Sequence, residues 1–249
     1  MDAQETQFYN AVLVTAFLVG AILLTFVIVM YRQHKKVKEF FLSKIDAEIK
    51  TLENERQRVS SDLHDDLGPI LTSIKFRVSS MDLQEGPDKD EMIKALYLLD
   101  KGIGQVRTIS KNLFPDTLLR KGLVEALNEF LAELRKPEQL TLTLAKTEVP
   151  NLSNEKTLHC FRVLQEVIHN TFKHSQAKNF TITLTHNEKS FLIETWDDGI
   201  GFEWDQNKPQ QGLGMRNLLS RMDILKGQVF LETELKKGTH YLFTIPLNS

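Results

Sequence analysis

From Ala11 to Tyr31 the chain reads AVLVTAFLVGAILLTFVIVMY, without one charged side chain. About 20 apolar residues rising ~1.5 Å each match a hydrocarbon core of ~30 Å, and a helix satisfies its own backbone there. A cleaved leader would begin with basic residues and carry a shorter run, whereas Asp2 and Glu5 precede this one. The stretch therefore predicts a single membrane-spanning helix over residues 11–31. Arg32, His34, Lys35, Lys36 and Lys38 follow at once, and that basic cluster places everything from Arg32 onward on the cytoplasmic side. Residues 1–10 are left outside, too few for an extracytoplasmic sensor domain.

The chain as a whole has the apolar and charged fractions of an ordinary folded protein, so a real core is expected. A net charge of −2, with lysine and arginine spread along the chain, gives no nucleic-acid footprint. The one cysteine, Cys160, lies in the apolar stretch LHCFRVL and reads as a small core residue.

From residue 42 the apolar positions Leu42, Ile45, Ile49, Leu52, Val59 and Leu63 keep the three-and-four spacing of a heptad seam, interrupted by Arg56. This predicts a coiled-coil linker over 32–54 that runs on through Leu67, Ile70, Ile74 and Val78. A turn follows at Gly86-Pro87, and a second amphipathic run from Met92 to Leu113 ends near Phe114-Pro115. Two such helices per chain, dimerised, make a four-helix bundle. Inside the first helix stands SSDLHDDLGPIL. His64 directly follows a seam residue and is turned about 100° from the apolar stripe, toward solvent. Pro69 is expected to kink or strain the helix just beyond it.

After Pro115 the pattern becomes mixed: a short helix at 123–134, an alternating strand LTLTLAK, and a long helix from about Glu155 to Phe172. Next come FTITLTH and FLIETWDD around Asn187-Glu188-Lys189, a hairpin signal, then a helix near 213–225 and the strands QVFLETEL and HYLFTIPL. Helices gathered beside a mainly antiparallel sheet predict an α+β sandwich over 116–249.

Three segments of this sandwich carry polar residues where core residues are otherwise expected. LQEVIHNTFKHS sets Glu166, Asn170, Lys173 and His174 along one side of a helix. Asn170 and Glu166 offer the oxygen ligands that Mg²⁺ shares with substrate phosphates, and Lys173 offers a counter-charge; a solvated helix face accounts for the same pattern. In WDDGIGF, Asp197 ends a strand ahead of Gly199 and Gly201, where backbone comes close to a ligand. GLGMRNLLSRM opens a helix with Gly212 and Gly214, whose amides suit phosphate.

In this order, these segments make the chain from about Glu55 to Leu247 resemble the bacterial two-component sensor histidine kinases of the HisKA_3 (NarL/DesK-like) subclass, with an ATPase domain of the GHKL, or Bergerat, type. The resemblance implies a fold of three parts: a membrane helix, an all-α dimeric four-helix bundle over 55–115, and an α+β ATP-binding sandwich over 116–249. In ERQRVSSDLHDD it marks His64 as the phosphorylated residue and Asp65 as the carboxylate that polarises its imidazole. It implies that Asn170 holds Mg²⁺, with Glu166 assisting through water and Lys173 and His174 near the phosphates. Asp197 would read the adenine amino group, with Gly199 and Gly201 shaping that wall. Gly212 and Gly214 would form a second glycine box beside a lid in EWDQNKPQQ, and Thr239 would sit near adenine. The implied substrates and partners are ATP with Mg²⁺, a second copy of the chain, and a response regulator of the LuxR/NarL type. A separate membrane or extracytoplasmic sensor protein is a further candidate partner, and no nucleic acid is touched directly. The implied location is the bacterial inner membrane. Where relatives that also dephosphorylate their partner carry H-D-x-x-x-Q, this chain has Pro69, which has no side-chain amide to offer.

Two other classes share parts of the pattern. A signalling scaffold that binds nucleotide without phosphotransfer would never label with ATP. An ATPase or serine kinase built from the sandwich alone would be indifferent to His64→Gln.

Overall fold

The computed structural model describes residues 3–81, 86–134, 140–146, 149–204 and 212–247. The chain divides into two compact units, Met1–Ile49 and Lys50–Ser249. The first unit is helical: it is the N-terminal part of α1 (Ala3–Asp62), and α1 is the one helix among the described residues long and apolar enough to cross a membrane. Apolar side chains of the uncharged run, such as Phe17 and Ile22, are exposed along it.

In the second unit α1 ends at Asp62 and the chain passes through a π-helical turn, Leu63–Leu67, into α2 (Gly68–Ser79). The expected disturbance at Pro69 takes this form. Proline lacks the amide that would bond back to Asp65 and its ring crowds that carbonyl, so one widened turn ahead of it, closed by Gly68 N–H on the Leu63 carbonyl, absorbs the mismatch without a break. After the turn at Gly86-Pro87 comes α3 (Pro87–Leu113). α1 and α3 are locked together by a reciprocal pair: Ser60 Oγ donates to the Ser110 carbonyl at 2.9 Å and Ser110 Oγ to the Ser60 carbonyl at 3.0 Å. Both serines are buried.

The sandwich begins with α4 (Asp116–Lys121), a helix the sequence reading did not separate out, and α5 (Leu123–Leu134). Strand β1 (Thr141–Lys146), helix α6 (Asn154–Asn170) and a second π-helical turn, Thr171–Ser175, follow. The chain then forms β2 (Asn179–His186), β3 (Ser190–Asp197), α7 (Leu213–Ile224), β4 (Gln228–Thr233) and β5 (Thr239–Pro246). The five strands lie in the order β1-β2-β3-β5-β4, parallel between β1 and β2 and antiparallel elsewhere.

The period-2 pattern of β2, β3 and β5 aims Phe180, Ile182, Leu184, Phe191, Ile193, Phe243 and Ile245 at the helices. Opposite them α5 and α6 contribute Leu127, Val163, Leu164 and Ile168, and α7 contributes Leu218 and Met222. Cys160 is part of this core, and burial pushes its thiol up to about 12, which leaves it unreactive at neutral pH. The two inward rows that are apolar at one end of β3 and β5 finish polar at the other, with Asp197 and Thr239 as cross-strand partners. There the core gives way to a cavity.

Candidate nucleotide and phosphoacceptor sites

That cavity, of about 540 Å³, is lined by Glu166, Asn170 and His174 from α6 and the turn after it, by Asp197, Gly201 and Thr239 at the sheet end, and by Gly212 and Gly214 at the start of α7. Of the residues singled out in sequence, Lys173 and Gly199 are not on its lining. Lys173 points to solvent, and Gly199 is buried behind Asp197. The lid stretch 205–211 lies outside the described residues.

Asp197 is 4% exposed, and its Oδ1 accepts the Gly199 amide at 2.9 Å. Burial raises the pKa of this carboxyl above the ordinary aspartate value, against the opposing pull of the Gly199 and Thr239 hydrogen bonds. Asp198, one residue on, is exposed and moves the other way, because the amides of Lys178 and Asn179 and the Asn179 side chain all donate to it. The chain therefore holds two neighbouring carboxylates with opposite jobs: Asp198 ties the loop to the start of β2, and Asp197 faces the cavity. Behind it the loop is closed by the Ile200 amide on the Ser175 carbonyl at 2.7 Å and the Lys236 amide on the Ile200 carbonyl at 2.6 Å. Gly201 sits there at φ +56 with the Glu234 carbonyl where a Cβ would go, so only glycine fits.

On α6, Asn170 Nδ2 donates to Glu166 Oε1 at 3.3 Å, and the Asn170 side-chain oxygen has no hydrogen-bond partner among the described residues. The Glu166 carboxylate occupies the space where Gly214 would carry a Cβ, so the first turn of α7 packs directly over it. The other cavity residues, Thr171, Ser175, Met215 and Tyr241 among them, were not picked out from sequence. Tyr241 was the accessible one, since it is the next inward position after Thr239 on β5.

The second site is His64, in the π-helical turn, with its side chain 67% exposed. Its Nδ1 lies 2.9 Å from Asp65 Oδ1, and Asp65 Oδ2 accepts the Ser61 hydroxyl at 2.9 Å. A carboxylate only accepts, so in the neutral imidazole Nδ1 carries the proton and Nε2 the lone pair. The His64 and Ser61 hydrogen bonds hold the Asp65 carboxyl below its usual range, which keeps it ionised. Ser61, not singled out from sequence, is thus the residue that orients Asp65. His64 also lines a cavity of about 380 Å³ with Arg107, Lys111 and Arg120 and with the carboxylates Asp116, Glu129 and Glu133, the last two paired with Lys111.

Two family matches cover these two places in order. Residues 55–118 match the HisKA_3 histidine kinase family, and residues 155–249 match the family of histidine kinase-, DNA gyrase B- and HSP90-like ATPases. The chain therefore carries a HisKA_3 region followed by a histidine kinase-type ATPase region. Among its relatives, the oxygen sensor histidine kinase NreB of Staphylococcus carnosus is 26% identical over 204 residues, 80% of this chain and 58% of that protein. The sensor histidine kinase LiaS of Bacillus subtilis is 29% identical over 203 residues, 79% of this chain and 55% of that protein. The chain thus spans a little over half the length of these two relatives. The histidine kinase domain of a blue-light activated kinase from Erythrobacter litoralis EL346 aligns with a TM-score of 0.49 at 15% identity, over 74% of this chain and 96% of that one.

Proposed function

We propose that this chain is a membrane-anchored sensor kinase that moves the γ-phosphoryl group of ATP onto His64 and then onto an aspartate of a response regulator. One observation carries this reading: an exposed imidazole whose Nδ1 is bonded to Asp65, leaving Nε2 without a partner among the described residues. The Nε2 lone pair attacks the γ-phosphorus, the N–P bond forms as the bond to the bridging oxygen breaks, and ADP leaves. Asp65 keeps the Nδ1 proton in place and offsets the positive charge that develops on the ring.

In the sandwich, Asp197 accepts from the adenine amino group, Thr239 beside it completes that end, Gly201 forms the wall, and Gly199 supports Asp197 from behind. Gly212 and Gly214 let the start of α7 approach the phosphates, with His174 on the cavity lining and Lys173 on the exposed turn beside it. The free Asn170 oxygen and the Glu166 carboxylate are the hard donors that suit Mg²⁺, and the ion when bound neutralises phosphate charge. The parts are a membrane span at 11–31, a linker at 32–54, a dimerisation and phosphoacceptor part at 55–115 and a catalytic part at 116–249. Residues 1–10 face outward and the rest lies on the cytoplasmic side of the bacterial inner membrane. The working unit is a homodimer, and the acceptor is a response regulator of the LuxR/NarL type. The stimulus comes through the bilayer, the membrane segment itself or a separate membrane or extracytoplasmic sensor protein.

The test is incubation of the full chain in detergent with γ-labelled ATP and magnesium. Wild type acquires acid-labile, base-stable label, His64→Gln acquires none while still binding nucleotide, and Asn170→Ala loses both labelling and tight nucleotide binding. Equal labelling of wild type and His64→Gln sinks the reading.

A further inference from the structure

Arg162 interrupts the apolar run LHCFRVL, and a charge in that setting needs a partner. Its partner is Glu53 of α1, 109 residues away. Arg162 Nε and Nη2 reach Glu53 Oε2 at 3.0 and 2.7 Å, and Arg221 Nη2 of α7 reaches Glu53 Oε1 at 2.5 Å. All three side chains are buried, at 6%, 4% and 6% exposure for Glu53, Arg162 and Arg221. Burial alone would push the Glu53 carboxyl up, but the two guanidinium groups outweigh it and hold it below its ordinary value, so it stays ionised. Arg162 does more. Its Nη2 donates to the Leu113 carbonyl at 2.5 Å and its Nη1 to the Asn112 carbonyl at 3.3 Å, so it also caps the last turn of α3. One guanidinium therefore joins α1 at Glu53, the end of α3 and the helix that carries Glu166 and Asn170.

This junction fixes where the nucleotide cavity stands. That cavity shares no lining residue with the cavity of His64, whereas in-line attack needs reacting atoms about 3–3.5 Å apart. A buried carboxylate held by two buried arginines, with the partly exposed Arg56 of its own helix at 3.6 Å, is also all-or-none. Withdrawing it leaves two uncompensated buried cations, and they regain water only when the sandwich leaves α1.

We propose that Glu53, Arg162 and Arg221 form an autoinhibitory clasp, by which the stalk helix holds the nucleotide cavity of the ATP-binding half away from His64 until movement of α1 withdraws Glu53. This rests on the kinase reading above. A turn of α1 by one residue position swings Glu53 about 100°, out of reach of both arginines. The membrane segment lies on the same helix, so the clasp is where a change there becomes a change in kinase output.

Glu53→Gln in the full chain tests this, because it keeps the shape and removes the charge. A closed protein keeps a minor open state of at most about 10%, so opening raises the initial rate of autophosphorylation about tenfold or more. Affinity for a fluorescent ATP analogue stays the same, since Glu53 does not line the nucleotide cavity. Glu53→Asp, which keeps the charge on a shorter arm, gives an intermediate rate and serves if Glu53→Gln does not fold. An unchanged or lower rate in a variant that still binds the analogue overturns the clasp. A readout independent of phosphotransfer uses energy transfer between dyes on Lys50→Cys and Glu188→Cys, both exposed positions, with buried Cys160 left unlabelled. The separation widens in Glu53→Gln; an unchanged separation overturns the proposal. If wild type takes up no label at all, the kinase reading fails, and the separation still decides the clasp.

Discussion

The helices on either side of Pro115 are built on opposite principles. α5 and α6 bury nearly everything apolar they own, including Leu127, Phe130, Phe161 and Leu164. α2 buries no residue and α3 buries only Ser110, while Ile70, Ile74, Phe76, Tyr97 and Leu98 stand exposed. The sandwich completes its own core within one chain. The α2–α3 pair displays an apolar row that a single chain leaves in water, which costs about 25 cal/mol per Å². In the proposed dimer that row is the seam of the four-helix bundle. The difference teaches that the two halves answer to different variables: the sandwich to its own packing, the helix pair to protein concentration.

The strongest way to break this contrast is a cavity in each half. Phe243→Ala, at a fully buried position, is expected to cost the sandwich about 3–5 kcal/mol and to lower its thermal midpoint at any protein concentration. Ile74→Ala should leave that midpoint in place and weaken association instead, seen by sedimentation across a dilution series. If both changes destabilise the sandwich alike, the contrast is wrong.

A smaller effect separates binding from assembly. Asp197→Asn should cost nucleotide affinity about 1.5–3 kcal/mol, the worth of a charged hydrogen bond, without changing association. The pH dependence has a definite sign. The folded carboxyl titrates above the unfolded value, so its ionisation costs stability at neutral pH, and that cost vanishes as pH falls through the raised value. Affinity moves the opposite way, because a protonated Asp197 accepts poorly. Calorimetric titration on acidification should show affinity falling at a higher pH than an ordinary aspartate would give, with the dependence flattened in Asp197→Asn.

The smallest expected effect is at the surface of the helix pair. Lys75 Nζ meets Asp100 Oδ1 at 2.6 Å, with both side chains substantially exposed. Asp100→Asn should change stability by no more than about 1 kcal/mol, and less in high salt. A larger loss by chemical denaturation would mean that the α2–α3 contact is polar in origin and not apolar.

Much of this arrangement is legible residue by residue. The apolar period of LVEALNEFLAEL sets α5 at Leu123–Leu134, as read from sequence, and the alternation in β2, β3 and β5 sets which side chains turn inward. The start of α6 follows from Ser153, whose hydroxyl accepts the Lys156 amide at 3.3 Å, one residue ahead of the expected start. α4, only six residues between Pro115 and Gly122, is too short to show a period. At Pro69 the sequence announces a disturbance but not its form, because a kink and a π-helical turn answer the same missing amide.

What the sequence determined alone is local: an uncharged span, two helical periods, a His-Asp pair on a helix, and three polar segments inside a mixed α and β pattern. Each depends on neighbours within a few residues, where backbone geometry fixes who faces whom. Only the tertiary structure put Asp197 across from Thr239, closed Glu166 under the first turn of α7, and drove Glu53 between Arg162 and Arg221. Those pairings join segments from tens to well over a hundred residues apart. Strand register and helix packing choose them together, and no spacing along the chain encodes that choice.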